Sequence, residues 1–369
     1  MTLHVFNPEH DMALAANLAN FTAPHAGRQL RCDLGFLPVL WAREGDLVLV
    51  DDVVQAERGL KRLVPLLSKM PTSRLPWADV SLACGKRLVC PELVTRVEPW
   101  GWDAALRSRL LRLGVAEGLL PTTEGLATIR RLSHRRLAAG LLRGLREGLS
   151  ADGARLVGEA YECENADVAA RYVSRWPRTV LKAPWSSSGR GLRFVSDVSA
   201  CRGWLGNLLQ RQGCVMAEPY YNKVKDFGME FVSDGHGRVA YLGLSLFHTR
   251  NGAYTGNVLA TEARKREAIG RYVPTGLLDR VQEAVCLLAG EALSDGYEGP
   301  FGVDMMVVAQ DDARGFALHP CVEVNLRRTM GHVALALTRL LNPTDDDDVV
   351  SVMRVVLEEN SYKLKIQRL

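Results

Sequence analysis

A lysine beside a loop of small residues is the first place where the sequence could do chemistry. Lys182 ends a short apolar run, and Pro184 follows it. The loop over 186–191 comes next, and residues 192–195 resume a strand-like pattern. Small residues let a backbone approach a ligand closely, and successive backbone N–H groups form a concavity for anions. The segment predicts either a clamp for a polyphosphate or an ordinary hairpin that contains serines. A P-loop is excluded, because no Gly-Lys-Ser/Thr follows.

Three oxygen-bearing side chains form a second group. Asp304 lies in an apolar strand, and Glu323 and Asn325 are two apart on the next strand, so the latter two share one face. If the strands pair, the three side chains converge. This all-oxygen set suits Mg²⁺, which takes one or two carboxylates and completes its shell with water and phosphate. The alternative is a solvated sheet face. The apolar neighbours argue against it, because buried carboxylates need a partner or a metal.

Alternating strands and helices must position these residues. In the first part of the chain, strands are predicted over 3–6, 46–50 and 86–90, and helices over 24–42 and 53–67. This alternation predicts a parallel sheet in a small α/β domain.

Hairpins dominate the second part of the chain. Later strands are predicted over 156–161, 214–218, 226–232, 238–249, 302–308 and 317–324, and later helices over 102–113, 123–147, 165–176, 199–212, 275–293, 329–341 and 349–359. The Gly-rich segment 251–257 is predicted to be a loop.

Composition excludes several classes of protein. A net charge of +4 over 369 residues is too small to indicate a nucleic-acid binder. No apolar run is long enough to span a bilayer, and the first residues lack the pattern of a signal peptide. The eight cysteines show no zinc spacing, which favours reduced thiols and a cytoplasmic location.

The order of these motifs resembles the ATP-grasp superfamily. Lys182 and its loop come first, a strand ending at Glu218 follows, and then come Asp226, Asp304 and the Glu323–Asn325 pair. The resemblance covers about residues 133–341, and the ordered set is more specific than any single motif. It implies an α/β fold with an α+β C-terminal part: a Rossmann-like N-terminal domain (1–120), a central ATP-grasp subdomain with the phosphate loop (121–213) and a C-terminal subdomain with the metal site (214–369).

The resemblance assigns cofactors, ATP and Mg²⁺, to matching positions. Lys182, Arg135 and the loop would hold the phosphates, although Arg135 stands where the family usually has a lysine and so changes the geometry. Glu218 and its neighbours would border the adenine, and Asp226 would face the ribose. The nucleotide-binding set is Arg135, Lys182, Ser186, Ser187, Ser188, Gly189, Arg190, Gly191, Glu218, Tyr220, Tyr221 and Asp226, and the metal set is Asp304, Glu323 and Asn325.

The implied activity is a ligase that joins a carboxylate to an amine or thiol through an acyl phosphate, with release of ADP and phosphate. Arg327, which follows the Glu-x-Asn pair, would act with Lys182 by facing a carboxylate or acyl phosphate. The partners of such a protein would be small-molecule or peptide substrates. Neither nucleic acid nor a membrane is expected, and proteins of this fold can form homodimers. The alternatives are a small-molecule kinase on the same fold and an ATP-binding regulatory module without turnover.

Substrate residues are harder to read from the sequence. The turn after the first strand contains Asn7 and His10, and it sits where open α/β domains bind ligands. Asn7 and Pro8 could equally be the N-cap and first residue of a helix. Arg250 and Tyr254, in or near the Gly-rich segment, are the other candidates, and a solvated loop is the alternative for both.

Overall fold

The computed structural model describes residues 1–67, 80–85, 88–150, 155–186, 191–250, 253–294, 296–310, 315–342 and 348–369. These residues form two compact units. Unit 1 comprises Met1–Ile129, Thr255–Thr261 and Arg327–Leu369, and unit 2 comprises Arg130–Tyr254 and Glu262–Leu326. The three domains inferred from the sequence stay a prediction.

The strands are β1 (Thr2–Val5), β2 (Leu47–Leu49), β3 (Ser81–Ala83), β4 (Arg96–Pro99), β5 (Tyr161–Cys163), β6 (Thr179–Lys182), β7 (Leu192–Val195), β8 (Val215–Pro219), β9 (Lys223–Asp234), β10 (Val239–Arg250), β11 (Ala253–Leu259), β12 (Glu298–Ala309), β13 (Phe316–Asn325), β14 (Ser351–Glu358) and β15 (Ser361–Arg368). The α-helices are α1 (His10–Ala16), α2 (His25–Leu34), α3 (Val53–Leu63), α4 (Ala104–Arg112), α5 (Thr123–Leu132), α6 (Arg136–Leu149), α7 (Ala166–Arg175), α8 (Arg202–Gln212), α9 (Glu262–Gly270), α10 (Thr275–Leu293) and α11 (Met330–Leu341).

A parallel sheet with the order β3-β2-β1-β4 forms the centre of unit 1. Parallel strands are buried on both faces, which explains why β2 is an uninterrupted Leu-Val-Leu run. Carboxylates start two of the helices, since Asp52 accepts the N–H of Gln55 and Asp103 accepts that of Leu106. The predicted parallel sheet is confirmed. The strand predicted over 86–90 is wrong for its described residues 88–90, and β4 takes its place in the sheet.

The end of the chain is a β-hairpin, so the helix predicted over 349–359 is wrong. β14 pairs with β15 from Ser351↔Arg368 to Glu358↔Ser361. Glu359 and Asn360 have φ values of 50° and 60°, as in a two-residue hairpin turn. Valines crowd β14, and β-branched residues favour strands over helices.

Unit 2 contains antiparallel strands in two groups. The first is a sheet with the order β5-β8-β6-β7, one face of which packs Leu181, Val195 and Ala217 into a core with α7 and α8. The second carries β13, β12, β9 and β10 as neighbours. Phe231 and Phe301 are fully buried there and stack at 5.3 Å between ring centroids. Both predicted hairpins, β9–β10 and β12–β13, are confirmed.

Three local expectations are corrected. The helix predicted over 123–147 is split into α5 and α6, because Nδ1 of His134 accepts the N–H of Arg136 and the N–H of Arg135 donates to Pro184 O. The helix predicted over 24–42 ends at Leu34, and a short 3₁₀ turn follows. Much of the predicted loop over 251–257 belongs to β11. Among the described residues, no helix combines the length and apolar character needed to cross a membrane.

Candidate functional site

Lys182 and Glu218 form a buried ion pair in unit 2. They lie on the neighbouring strands β6 and β8, where Val180 pairs with Glu218. The Nζ of Lys182 lies 2.6 Å from Oε2 of Glu218 and 3.4 Å from the carbonyl oxygen of Val322. Lys182 is 6% exposed and Glu218 is 8% exposed. An ammonium has three N–H donors, so these two acceptors leave one donor for a ligand.

The three predicted metal ligands meet on the β12–β13 hairpin. Asp304 pairs with Glu323, and Gly302 pairs with Asn325, so all three polar side chains share one face. The Nδ2 of Asn325 donates to Oδ2 of Asp304 at 3.1 Å. The strand register thus brings together the residues that the sequence placed on one face.

Glu230 on β9 is a carboxylate that the sequence reading missed. β9 pairs with β12 so that Gly228 stands opposite Asp304, and Glu230 stands opposite Gly302. A Cβ on Gly228 would lie 3.3 Å from Oδ1 of Asp304 and 3.7 Å from Oε1 of Glu230. The alternation Asp226-x-Gly228-x-Glu230 was the signal that could have found it, because it places all three on one face.

This carboxylate face, defined as Glu230, Asp304, Glu323 and Asn325, fits a divalent cation. Its donors are oxygens, and the missing side chain of Gly228 leaves space between two carboxylates. Asp304, Glu323 and Asn325 could therefore hold Mg²⁺, as the sequence predicted. That assignment stays a prediction.

Arg135 joins the phosphate loop to the carboxylate face. Its Nη2 lies 2.9 Å from Oε1 of Glu323 and 3.3 Å from Oγ of Ser186, and its Nε donates to Ala183 O at 2.9 Å. The side chain of Arg135 is 8% exposed. Gly191 lies at the other end of the loop and its carbonyl accepts the N–H of Ala183. The loop residues Ser187, Ser188, Gly189 and Arg190 lie outside the described part of the chain.

The predicted base and ribose residues follow β8. Tyr221 packs edge-on against His319 at 5.5 Å, and burial, with a smaller contribution from Glu159, raises the pKa of Tyr221 to about 12. Tyr220 is exposed, with the guanidinium of Arg178 4.3 Å from its ring centroid. Asp226 accepts from Nζ of Lys223 at 2.5 Å and Oγ1 of Thr249 at 2.6 Å. Their ligand roles stay predictions.

Arg327 belongs to unit 1 and pairs with Asp11, a residue that the sequence reading did not assign. Its Nε lies 2.9 Å from Oδ1 of Asp11, and its Nη2 lies 2.7 Å from Oδ2. Nη1 donates to the carbonyl oxygen of Arg328. This two-pronged geometry is the one in which a guanidinium binds a planar carboxylate.

Asn7 and His10 also belong to unit 1, and both contact Asp103. The Nδ2 of Asn7 lies 3.1 Å from Oδ2 of Asp103 and 2.8 Å from Gly101 O, while Nδ1 of His10 lies 3.3 Å from the same Asp103 oxygen. The N-cap interpretation of Asn7 is wrong, because Glu9 occupies the cap position of α1.

The two remaining substrate candidates lie in unit 2. Burial raises the pKa of Tyr254 on β11. Arg250 ends β10, and its side chain lies outside the described part. Neither residue gains a substrate role from these observations.

One further group in unit 2 has metal-ligand chemistry but does not fit a metal. The ligand atoms of His134, Glu162 and Cys214 lie within 4.8 Å of one another. Nδ1 of His134 accepts the N–H of Arg136 at 3.0 Å, so the ring proton belongs on Nε2, which faces Cys214 Sγ at 3.3 Å. Burial, reinforced by Glu162, raises the pKa of the Cys214 thiol to about 12. The Nε2–H of the neutral ring and the thiol therefore contact each other just before the start of α6, next to Arg135.

Comparison with known proteins gives structural matches only. No protein-family model matches the chain. No curated protein matches it either.

Three solved structures have a TM-score of 0.50. They are the biotin carboxylase domain of Hydrogenobacter thermophilus 2-oxoglutarate carboxylase with MgADP, ADP and bicarbonate (13% identity, 96% of this chain, 74% of that one), Campylobacter jejuni biotin carboxylase in an ATP-type complex (12%, 96%, 75%), and Thermus thermophilus N5-carboxyaminoimidazole ribonucleotide synthetase (15%, 97%, 83%). These matches confirm the predicted fold.

Proposed function

On the premise that the chain has the ATP-grasp fold, we propose that it is an ATP- and Mg²⁺-dependent ligase joining a carboxylate to an amine or thiol. The observation that carries the proposal is the carboxylate face of unit 2, where Asp304, Glu323 and Asn325 meet on adjacent strands. The buried Lys182–Glu218 pair of the same unit supports it. Two of the structural neighbours are biotin carboxylases in complex with adenine nucleotides, which agrees with this class of chemistry.

Different residues of unit 2 would hold the Mg²⁺ ion and the phosphates of the nucleotide. Asp304, Glu323 and Asn325 would hold Mg²⁺, which when bound supplies positive charge against the phosphate oxygens. Lys182 would direct its remaining N–H donor at a phosphate, with Glu218 and Val322 O fixing its ammonium. Arg135 would place a second fixed positive charge near Ser186, at the start of the phosphate loop.

The chemistry needs positioning more than a side-chain nucleophile. An oxygen of the substrate carboxylate attacks the γ-phosphorus, and the bond to the bridging oxygen breaks, releasing ADP. The amine or thiol then attacks the acyl carbon, the bond to the phosphate oxygen breaks, and one proton leaves the nucleophile. Fixed charges from Lys182 and Arg135 would stabilise the negative charge that develops on the transferred group. Arg327 of unit 1 keeps its predicted role towards a carboxylate or acyl phosphate.

A turnover assay separates this proposal from its alternatives. Purified protein is incubated with ATP, Mg²⁺ and pooled carboxylates and amines, and ADP, phosphate and amide are measured. A ligase releases ADP and phosphate only with both substrates present and forms an amide. A kinase leaves phosphate on one acceptor, and a binding module releases neither product.

Glu323→Gln is the decisive variant for the metal assignment. It keeps the side-chain shape and removes a carboxylate charge, so we expect turnover at limiting Mg²⁺ to fall by about 100-fold. Glu283→Gln, an exposed substitution on α10, is the matched control and should retain turnover. Unchanged turnover in Glu323→Gln would show that the metal assignment is wrong.

A further inference from the structure

Loops at the carboxyl ends of the parallel strands in unit 1 gather a group of charges, of which Glu9 and Asp103 are buried. We define the carboxyl-edge cluster as Glu9, Arg31, Asp51, Asp103 and Arg109. Glu9 follows β1, Asp51 follows β2, and Asp103 follows β4. Ligands of open α/β sheets bind beyond this edge, because the loops there are free to vary while the strands hold them in place.

Arginines reach only part of this cluster. Nη1 of Arg31 pairs with Oε1 of Glu9, and its Nε lies 2.8 Å from Asp51. Nη2 of Arg109 lies 2.7 Å from the other oxygen of Asp51. Within the described residues, Oε2 of Glu9 is buried and has no hydrogen-bond partner, and Glu9 as a whole is 8% exposed.

Asp103 is buried without a lysine or arginine partner among the described residues. It is 3% exposed, and its Oδ1 accepts the N–H of Leu106 at 2.9 Å. Its Oδ2 faces Nδ2 of Asn7 and Nδ1 of His10. The carboxylate therefore depends on an amide, a ring nitrogen and a backbone N–H.

The cluster contains one more carboxylate than guanidinium. Glu9 and Asp51 pair with Arg31 and Arg109, and Asp103 adds a carboxylate that pairs with neither arginine. Burial raises the pKa of Glu9 against the opposing effect of Arg31, and the charge of Asp103 raises it further. A buried excess charge is offset by a proton or by a cation. Within the cluster, protonation of Glu9 is the alternative to a bound cation.

We propose that the carboxyl-edge cluster binds the ammonium group of a ligand, with Oε2 of Glu9 and the carboxylate of Asp103 as its acceptors. Charge-assisted hydrogen bonds from an ammonium would satisfy the orphaned oxygen and cancel the excess charge. This inference goes beyond the proposed function, because it concerns only the binding of a ligand that carries a protonated amine and requires no turnover.

Binding without nucleotide tests the inference independently of turnover. The full chain is titrated calorimetrically with 1,5-diaminopentane, and with 1,5-pentanediol and glutarate as neutral and anionic probes of similar length. We expect saturable binding of the diamine alone. Glu9→Gln, which keeps shape and loses charge, should weaken it at least tenfold, while Glu57→Gln, exposed on α3, should not.

Asp103→Asn is a second variant that tests the same site in case Glu9→Gln fails to fold. It should fold, because asparagine can still cap α4 through its side-chain oxygen. Both variants are checked by thermal unfolding, and either folded variant should show the loss. Absence of diamine binding, preferential binding of glutarate, or equal diamine affinity in the folded variants and wild type would overturn the inference. If the diamine binds as expected but no amide forms in the turnover assay, the ligase proposal fails and the amine site stands.

Discussion

The carboxylate face of unit 2 and the carboxyl-edge cluster of unit 1 both bring acids together, but they hold them differently. In unit 2, the acids project from the middle and ends of long antiparallel strands, and Gly228 keeps a space between Asp304 and Glu230. In unit 1, the acids sit on loops and helix caps, and arginines from α2 and α4 reach in among them. Strand pairing places Asp304 and Glu323 opposite each other, whereas Glu9 and Asp51 are held by Arg31 and Arg109.

This difference predicts whether a substitution in each region should change ligand affinity or stability. Where the backbone fixes a charge, removing a neighbour should alter ligand affinity more than folding. Where a charge is fixed by its partner, removing that partner should cost stability as well.

Lys182→Met should give the largest effect, because it removes the partner of a buried carboxylate. Loss of one member of a buried pair costs about 3 kcal/mol, and turnover should disappear. The double variant Lys182→Met/Glu218→Gln should recover most of the free energy of unfolding without recovering turnover. Urea denaturation and the ADP-release assay measure the two quantities. Equal stability of the single and double variants would contradict the pairing argument.

His319→Leu should change how stability depends on pH. Burial, with the charges of Lys182 and Arg146, lowers the pKa of His319 to about 3 from the ordinary value of 6.5. Both ring nitrogens are buried without a hydrogen-bond partner among the described residues. Below pH 6.5 the ring of His319 binds a proton in the unfolded chain but not in the folded chain. The contribution of this ring to the free energy of unfolding is therefore fully present above pH 6.5 and falls as the pH drops towards 3.

The size of that effect can be measured between pH 7 and pH 5. This one histidine should cost the wild type about 2 kcal/mol over the interval, and His319→Leu should lack that part of the loss. Chemical denaturation at both pH values gives the free energy of unfolding. His236→Gln, at an exposed hairpin turn, is the control and should keep the wild-type slope. A wild-type slope in His319→Leu would mean that the ring is not buried as a neutral group.

Gly228→Ala should have the smallest effect and bears most directly on the comparison. The new Cβ would press on Oδ1 of Asp304 and on the carbonyl of Val303, each 3.3 Å away. We expect Mg²⁺ affinity to fall about tenfold, equivalent to about 1.4 kcal/mol, with little loss of stability. Calorimetric titration of Mg²⁺ measures it. Gly203→Ala on α8, where a Cβ would meet nothing within 4 Å, should bind Mg²⁺ like the wild type.

Sequence reasoning succeeded where period and register fix geometry. The i, i+2 spacing of Glu323 and Asn325, and the hairpin that pairs them with Asp304, follow from strand alternation alone. The same strand alternation places Glu230 on this face, through the pattern Asp226-x-Gly228-x-Glu230, but the sequence analysis did not assign it.

Reasoning from the sequence failed where distant or competing interactions decide. Arg31 and Arg109 look like solvated helix residues, and only the packed structure shows that they meet Asp51. The final hairpin replaces the helix predicted over 349–359, because the β-branched residues of β14 and the Glu359–Asn360 turn favour strands. Local periodicity cannot rank such competing signals.

The segmented make-up of unit 1 has a consequence for its synthesis. Its core packs Phe6, Phe36 and Leu37 from the start of the chain with Val333, Met353 and Leu364 from near its end. During translation the early part of this core therefore lacks its later partners until residues 333–364 have been synthesised. A fragment ending near residue 120 would keep that apolar surface exposed.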